Sequence, residues 1–250
     1  MKILLANPNT SRSVTDRIAD VARQAAAPGT QILAVTATCG VAYIATRAEA
    51  AVAGGTTLEL MAEHAPGCDA AIVAAFGDPG LGGARELLSI PVVGLAEAAM
   101  LTACMLGRRF SIVTFSQALE PWYRECVEYH GLMSRFASIR CAQGSFSDIA
   151  TVGLEKEALL LALCERVISE DGADVIILGG APLAGMAAKV GERVAVPLID
   201  GIAAAVGQAQ TLVSLQPRKA TAGSFRRPAP KSYGSILQPA VGSKTRISIS

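Results

Sequence analysis

The chain has 250 residues, enough for a large core in one or two domains, with 51% hydrophobic and only 17% charged residues. That balance excludes a disordered chain, and a net charge of +1 gives no reason to expect nucleic acid or an anionic membrane as partner. No stretch approaches the roughly 20 apolar residues that span a bilayer, and the apolar run after Lys2 is too short for a signal peptide, so a cytoplasmic protein is expected.

The six cysteines, at 39, 68, 104, 126, 141 and 164, show no Cys-x-x-Cys spacing, and His64 and His130 are the two histidines. Structural thiols are therefore expected, with neither a disulfide framework nor a zinc site.

In chain order, Lys2–Ala6 reads as a strand, followed by an Asn-Pro-Asn turn in which Thr10 or Ser11 caps a helix over 14–26. Gln31–Thr36 is a second strand, residues 39–47 a loop, and 47–64 a helix interrupted at Gly54-Gly55. Strand 70–75, a short helix 85–88, strand 91–95 and helix 96–106 complete the first half. The second half repeats the order: strand 109–115, helix 119–129, strand 138–142, helix 156–169, strands 174–178 and 196–199, and helix 201–215. The expected class is α/β, with two pseudo-symmetric Rossmann-like lobes, each a mainly parallel four-stranded sheet flanked by helices. The lobes are expected at 1–96 plus 205–250 and at 97–204, with the site between them.

Two stretches organise the chain: Asp69-Ala-Ala-Ile-Val-Ala-Ala-Phe-Gly-Asp-Pro-Gly-Leu81 and Ala173-Asp-Val-Ile-Ile-Leu-Gly-Gly-Ala-Pro-Leu-Ala-Gly185. Each is an apolar run, the mark of a strand buried on both faces, that breaks into Gly and Pro where backbone can approach a ligand. Ligands of open α/β sheets sit beyond the carboxyl ends of strands. The halves superpose as an internal repeat, with Asp69 matching Asp174, Ile90-Pro matching Val196-Pro and Lys2 matching Phe110. From Pro217 the chain turns Pro-, Ser- and Lys/Arg-rich, with Phe225 and Tyr233 as its aromatic pair, and reads as a solvated terminal extension.

Met1-Lys-Ile-Leu-Leu-Ala-Asn-Pro-Asn-Thr-Ser11, Phe76-Gly-Asp-Pro-Gly-Leu81 and Leu178-Gly-Gly-Ala-Pro-Leu-Ala-Gly185 resemble the Asp/Glu racemase superfamily, in its hydantoin and allantoin racemase branch. The stretch Lys219–Lys231 also resembles that branch. The resemblance implies two lobes with the site between them and no pyridoxal phosphate, metal or nucleotide. It also implies two opposed cysteines that move a proton next to a carbonyl, since inversion needs an acid/base group on each face. Thiols suit this when backbone N–H groups lower their pKa and hold the enolate oxygen.

This sequence departs from that pattern. The positions of the two family thiols hold Ala75 and Gly180, which carry no proton: either the chain is of a Cys-free kind or one thiol has been replaced. What remains is a cradle: Asn7, Thr114 and Ser116 at strand ends, and the turn backbones at Phe76, Gly77, Ala181 and Pro182, the last without an N–H. Asn7 also reads as a turn-former before Pro8. Cys39 and Tyr43, in the loop after the second strand, are the candidate substitute acid/base groups, with Tyr43 also a candidate lid. Glu97 and Asp200 are expected to cap helices and Asp78 to brace its own turn. The expected activity is that of a cofactor-independent isomerase on a small ureide, hydantoin or amino-acid derivative. Alternatives are a lyase of the arylmalonate decarboxylase type and a non-catalytic binding protein. So apolar a chain is expected to form a homo-oligomer.

Overall fold

The computed structural model describes residues 1–149 and 151–229. Two four-stranded parallel sheets hold the chain together. The first, in order β2-β1-β3-β4, uses β1 (Lys2–Asn7), β2 (Gln31–Thr36), β3 (Ala70–Val73) and β4 (Val92–Gly94). The second, β6-β5-β7-β8, uses β5 (Phe110–Thr114), β6 (Phe136–Cys141), β7 (Val175–Gly179) and β8 (Leu198–Asp200). The central strands β3, β5 and β7 are buried at every residue, as strands covered on both faces must be. The helices are α1 (Arg12–Ala25), α2 (Arg47–His64), α3 (Leu81–Leu87), α4 (Leu95–Leu106), α5 (Glu120–Tyr129), α6 (Val152–Glu155), α7 (Glu157–Ser169), α8 (Met186–Val190) and α9 (Gly201–Leu215). None among the described residues is long and apolar enough to cross a membrane.

Local chemistry explains the starts. Ser11 caps α1 by accepting from the Val14 N–H, and Thr46 with Glu49 forms a reciprocal capping box on α2. Helix α2 runs unbroken through Gly54-Gly55, against the expected interruption. Gly54 lies where α2 crosses the Pro79-Gly80 turn, and a Cβ there would sit 3.4 Å from the Gly80 nitrogen. The glycine serves close packing, and helical neighbours outweigh its poor propensity.

The repeat is physical. Asp69 accepts from the Lys2 N–H at 2.7 Å, and Asp174 from the Arg108 and Arg109 N–H groups at 3.0 and 2.9 Å, so each ties the start of its sheet's central strand pair. The strand match needs a correction by one residue. Ile3 pairs with Ala70 as Phe110 pairs with Val175, so Ile3 matches Phe110 and Asn7 matches Thr114. By the same registers Ala75 matches Gly180. Helix α4 leaves the first sheet and packs on β7 and β8; α9 leaves the second and packs on β3 and β4; the two pack on each other. The lobe bounds expected at 96/97 and 204/205 fall within these two exchanged helices.

Of the tail, Lys219 donates to the Arg85 carbonyl and the Phe225 ring lies 5.7 Å from the Arg85 guanidinium. Lys231, Tyr233, Lys244 and Arg246 lie outside the described residues.

Candidate active site

The turns after β3 and β7 bring Phe76, Gly180 and Ala181 to the wall of one crevice, which Leu95, Asp200 and Gly201 complete. At about 10 Å³ it has room for about one water. Among the described residues, no Lys or Arg lines it. A ring-sized ligand enters only if the walls part.

Ala75 and Gly180 are both buried and end equivalent strands. The residues that follow them, Phe76 and Ala181, are 3% and 6% exposed, and their N–H groups find no protein acceptor among the described residues. Buried backbone donors are nearly always paired, so two unpaired ones, following Ala75 and Gly180, can hold a developing oxyanion.

Gly180 has φ +121°, which side chains rarely adopt, and a Cβ there would stand 2.7 Å from Phe115 Cε1 and 3.5 Å from the Tyr123 hydroxyl. The space beside Gly180 is thus filled by Phe115 and bordered by a phenol. Sequence reasoning missed Tyr123; its only signal was an aromatic one turn into α5, behind Pro121. Its ring lies 4.7 Å from that of Phe76. Burial pushes its pKa well above the usual phenol value, helped by the fields of Tyr43, Cys126 and Cys141 and opposed by a hydrogen bond with Thr114. The phenol is a neutral donor.

Tyr43 reaches the second sheet from the loop after β2, with its ring 5.7 Å from Phe115 and 6.0 Å from Phe146. Its hydroxyl is buried without a hydrogen bond of full geometry. Burial pushes its pKa up to about 12, opposed by the nearby Ser116 hydroxyl. Cys39, on the same loop, is exposed. Four of the other five cysteines are buried.

Asn7 is fully buried with its amide spent inside the protein: Nδ2 donates to Asn9 Oδ1 at 3.0 Å and Thr15 Oγ1 at 2.9 Å, and Oδ1 accepts from the Asn9 N–H. That network fixes the Asn-Pro-Asn turn. Thr114 Oγ1 donates to the Gly179 carbonyl at 2.7 Å and so braces the β7 turn. Lys156, 3% exposed, donates from Nζ to the carbonyls of Phe115, Gln143 and Gly144, which fixes Phe115 from behind.

Asp200 caps α9 as expected, accepting from Ile202 and Ala203. Two expectations need correction. Glu97 does not cap α4 but pairs with Arg85. Asp78 reaches past its own turn to do the capping, accepting from the Ala96 and Glu97 N–H groups, each at 2.8 Å. A short carboxylate at the strand-end turn fits the α4 N-terminus better than a long one within the helix.

A profile of the Asp/Glu/hydantoin racemase family matches residues 3–209. The chain belongs to that family. It is 35% identical to a hydantoin racemase of Paenarthrobacter aurescens, over 93% of this chain and 100% of that one. Among solved structures, allantoin racemase from Klebsiella pneumoniae superposes with a TM-score of 0.85 at 36% identity, over 94% of this chain and 97% of that one. Kinship of this extent makes the chain a racemase-like isomerase. Arylmalonate decarboxylase, at 17% identity and a TM-score of 0.60, shares the fold alone, over 85% of this chain and 92% of that one, and the lyase alternative gains nothing from it.

Proposed function

We propose that this isomerase interconverts the enantiomers of a small neutral ring ureide of the hydantoin type by moving the proton next to a ring carbonyl. The carrying observation is the pair of buried, unpaired N–H groups at Phe76 and Ala181, one beyond each thiol position. Held there, a carbonyl oxygen gains stabilisation as the α-carbon loses its proton and charge moves onto oxygen. Among the described residues the crevice carries no Lys or Arg, which disfavours a free amino-acid carboxylate and favours an uncharged ring.

Ala75 and Gly180 carry no proton, so the acid/base work falls to phenols: Tyr123 beside Gly180, and Tyr43 on the covering loop. Burial keeps both protonated, which suits the acid role; each serves as base in its rarer phenolate form. The backbones of Gly77 and Pro182 shape the two turns, and Thr114 and Ser116 orient the phenols. Asn7 holds the first turn rather than the substrate. Exposed Cys39 takes no part.

The reading extends to a cytoplasmic homo-oligomer of two lobes, 1–96 plus 205–250 and 97–204. Six free cysteines suit a reducing compartment. Exposed Leu101, Met105, Leu106 and Met133 offer apolar surface to a second copy.

The test incubates single enantiomers of allantoin and several 5-substituted hydantoins in heavy water, following optical rotation and α-deuterium together. Loss of rotation with deuterium uptake above the uncatalysed background is expected. Neither signal across the panel overturns the reading.

A further inference from the structure

The end of α5 carries a side-chain cluster whose members are not among the residues that line the crevice. Cys126 and His130 stand four apart, hence on one helical face, and the turn after β3 brings Asp78 to them. One ligand atom from each lies within 4.8 Å of the others, and His130 Nε2 is 3.2 Å from Asp78 Oδ2. We propose that Asp78, Cys126 and His130 form a binding site for a zinc-class divalent cation, which would clamp α5 onto the turn that follows Ala75.

Three observations carry this beyond proximity. Oxygen, nitrogen and sulfur donors in one set suit zinc, whose bonds of about 2.0–2.3 Å place its ligands a little over 3 Å apart, the spacing His130 and Asp78 already have. The second ring nitrogen of His130 lies 3.6 Å from Glu97 Oε1, and Glu97 is itself held by Arg85. A carboxylate behind a ligating imidazole is the usual outer support of such sites. The Cys126 thiol is buried and makes no hydrogen bond among the described residues. Its proton passes to solvent as the sulfur–metal bond forms, with no change of oxidation state. A dication with one carboxylate, one thiolate and a neutral imidazole carries no net charge, and the Glu97–Arg85 pair adds none, so the filled site is tolerable at this depth. The sequence hid the set because its third member stands far off in the chain.

The test titrates Co²⁺ alone into the reduced full-length protein and reads the thiolate-to-cobalt charge-transfer absorption, then adds Zn²⁺. One equivalent of band per chain is expected, bleached by Zn²⁺, kept in Cys39→Ser, lost in Cys126→Ser and weakened at least tenfold in affinity in His130→Gln. Zn²⁺ should raise the melting temperature of the wild type and not of Cys126→Ser. No band in the folded wild type, or a band that survives Cys126→Ser and disappears in Cys39→Ser, overturns the proposal. Neither readout depends on turnover, so the result is independent of the isomerase reading.

Discussion

Placing a thiol at Gly180, as the proposed function invites, should damage the protein before it helps catalysis. Gly180→Cys places a Cβ 2.7 Å from Phe115 Cε1 at a residue with φ +121°. Holding a side chain in that backbone region costs about 1–3 kcal/mol. Forcing apart a packed aromatic costs about 1–3 kcal/mol more, and Phe115 cannot simply swing away, since its carbonyl is tied to Lys156 and its ring packs on Tyr43 and Phe146. The total, about 2–6 kcal/mol, is a large share of the roughly 5–15 kcal/mol that holds a domain together. For a chain of this size it lowers the melting temperature by at least about 4 °C. Ala75→Cys is the control, because Ala75 already has a Cβ and its φ is not positive, so only a sulfur must be housed, at about 1 kcal/mol. A double-mutant cycle with Phe115→Leu separates the two terms: the clash should vanish and the backbone strain remain, giving a coupling of about 1–3 kcal/mol. Racemisation of 5-substituted hydantoins should then rise in Ala75→Cys/Gly180→Cys/Phe115→Leu and not in the double thiol variant. A Gly180→Cys protein melting within about 1 °C of the wild type would refute the packing argument.

Tyr43→Phe should move stability and turnover in opposite directions. Removing a buried, poorly paired hydroxyl raises stability by about 1 kcal/mol, while loss of an acid/base group lowers kcat by at least about 100-fold; equal melting curves and equal kcat would sink this. Lys156→Met leaves the carbonyls of Phe115, Gln143 and Gly144 without their donor, costs about 1–3 kcal/mol and should speed amide exchange over residues 143–149. Asp171 is held below the usual carboxylate range chiefly by its hydrogen bonds with Arg140, against the cost of burial. Its stabilisation is therefore present above the unfolded pKa and is lost as pH falls through the folded one. Urea midpoints of wild type and Asp171→Asn should differ near neutral pH and converge as the pH falls below the usual carboxylate range; a gap that stays constant contradicts the assignment.

The sheets were legible because buried parallel strands write continuous apolar runs, and the runs beginning at Ala70 and Val175 became β3 and β7. Edges were less so: β4 and β8 are three residues each, and their flanking Pro gave the position without the length. The one-residue slip between Lys2 and Phe110 arose because a two-sided apolar strand lacks the alternation that fixes register; only the partner strand decides it. In the crevice, the two Gly/Pro breaks in the sequence marked the turns that bear Phe76 and Gly180. They gave no means of finding Tyr123, Phe115 or Lys156, whose meaning lies in what they touch from distant segments.

The two halves solve one problem in two ways, and the difference bears on how the site is held. Equivalent helices α4 and α9 both start at the crevice and both need an acceptor for their first N–H groups. Asp200 supplies it from the strand end, accepting from Ile202 and Ala203, and its other oxygen accepts from the Gly185 N–H at 2.6 Å. In the first half the matching strand end is Gly94, and Asp78 supplies the acceptor from the turn after Ala75. Asp78 therefore couples the turn after Ala75 directly to α4, at a backbone φ of +51° that few residues other than Gly accept. Cutting that link with Asp78→Ala should cost about 2 kcal/mol as a lost cap and also release the turn bearing the Phe76 N–H. Asp200→Ala should cost a similar amount through α9 while leaving the first turn in place. If kcat falls equally in the two variants at equal stability, Asp78 has no special hold on the first turn; a larger fall in Asp78→Ala is the outcome the geometry requires.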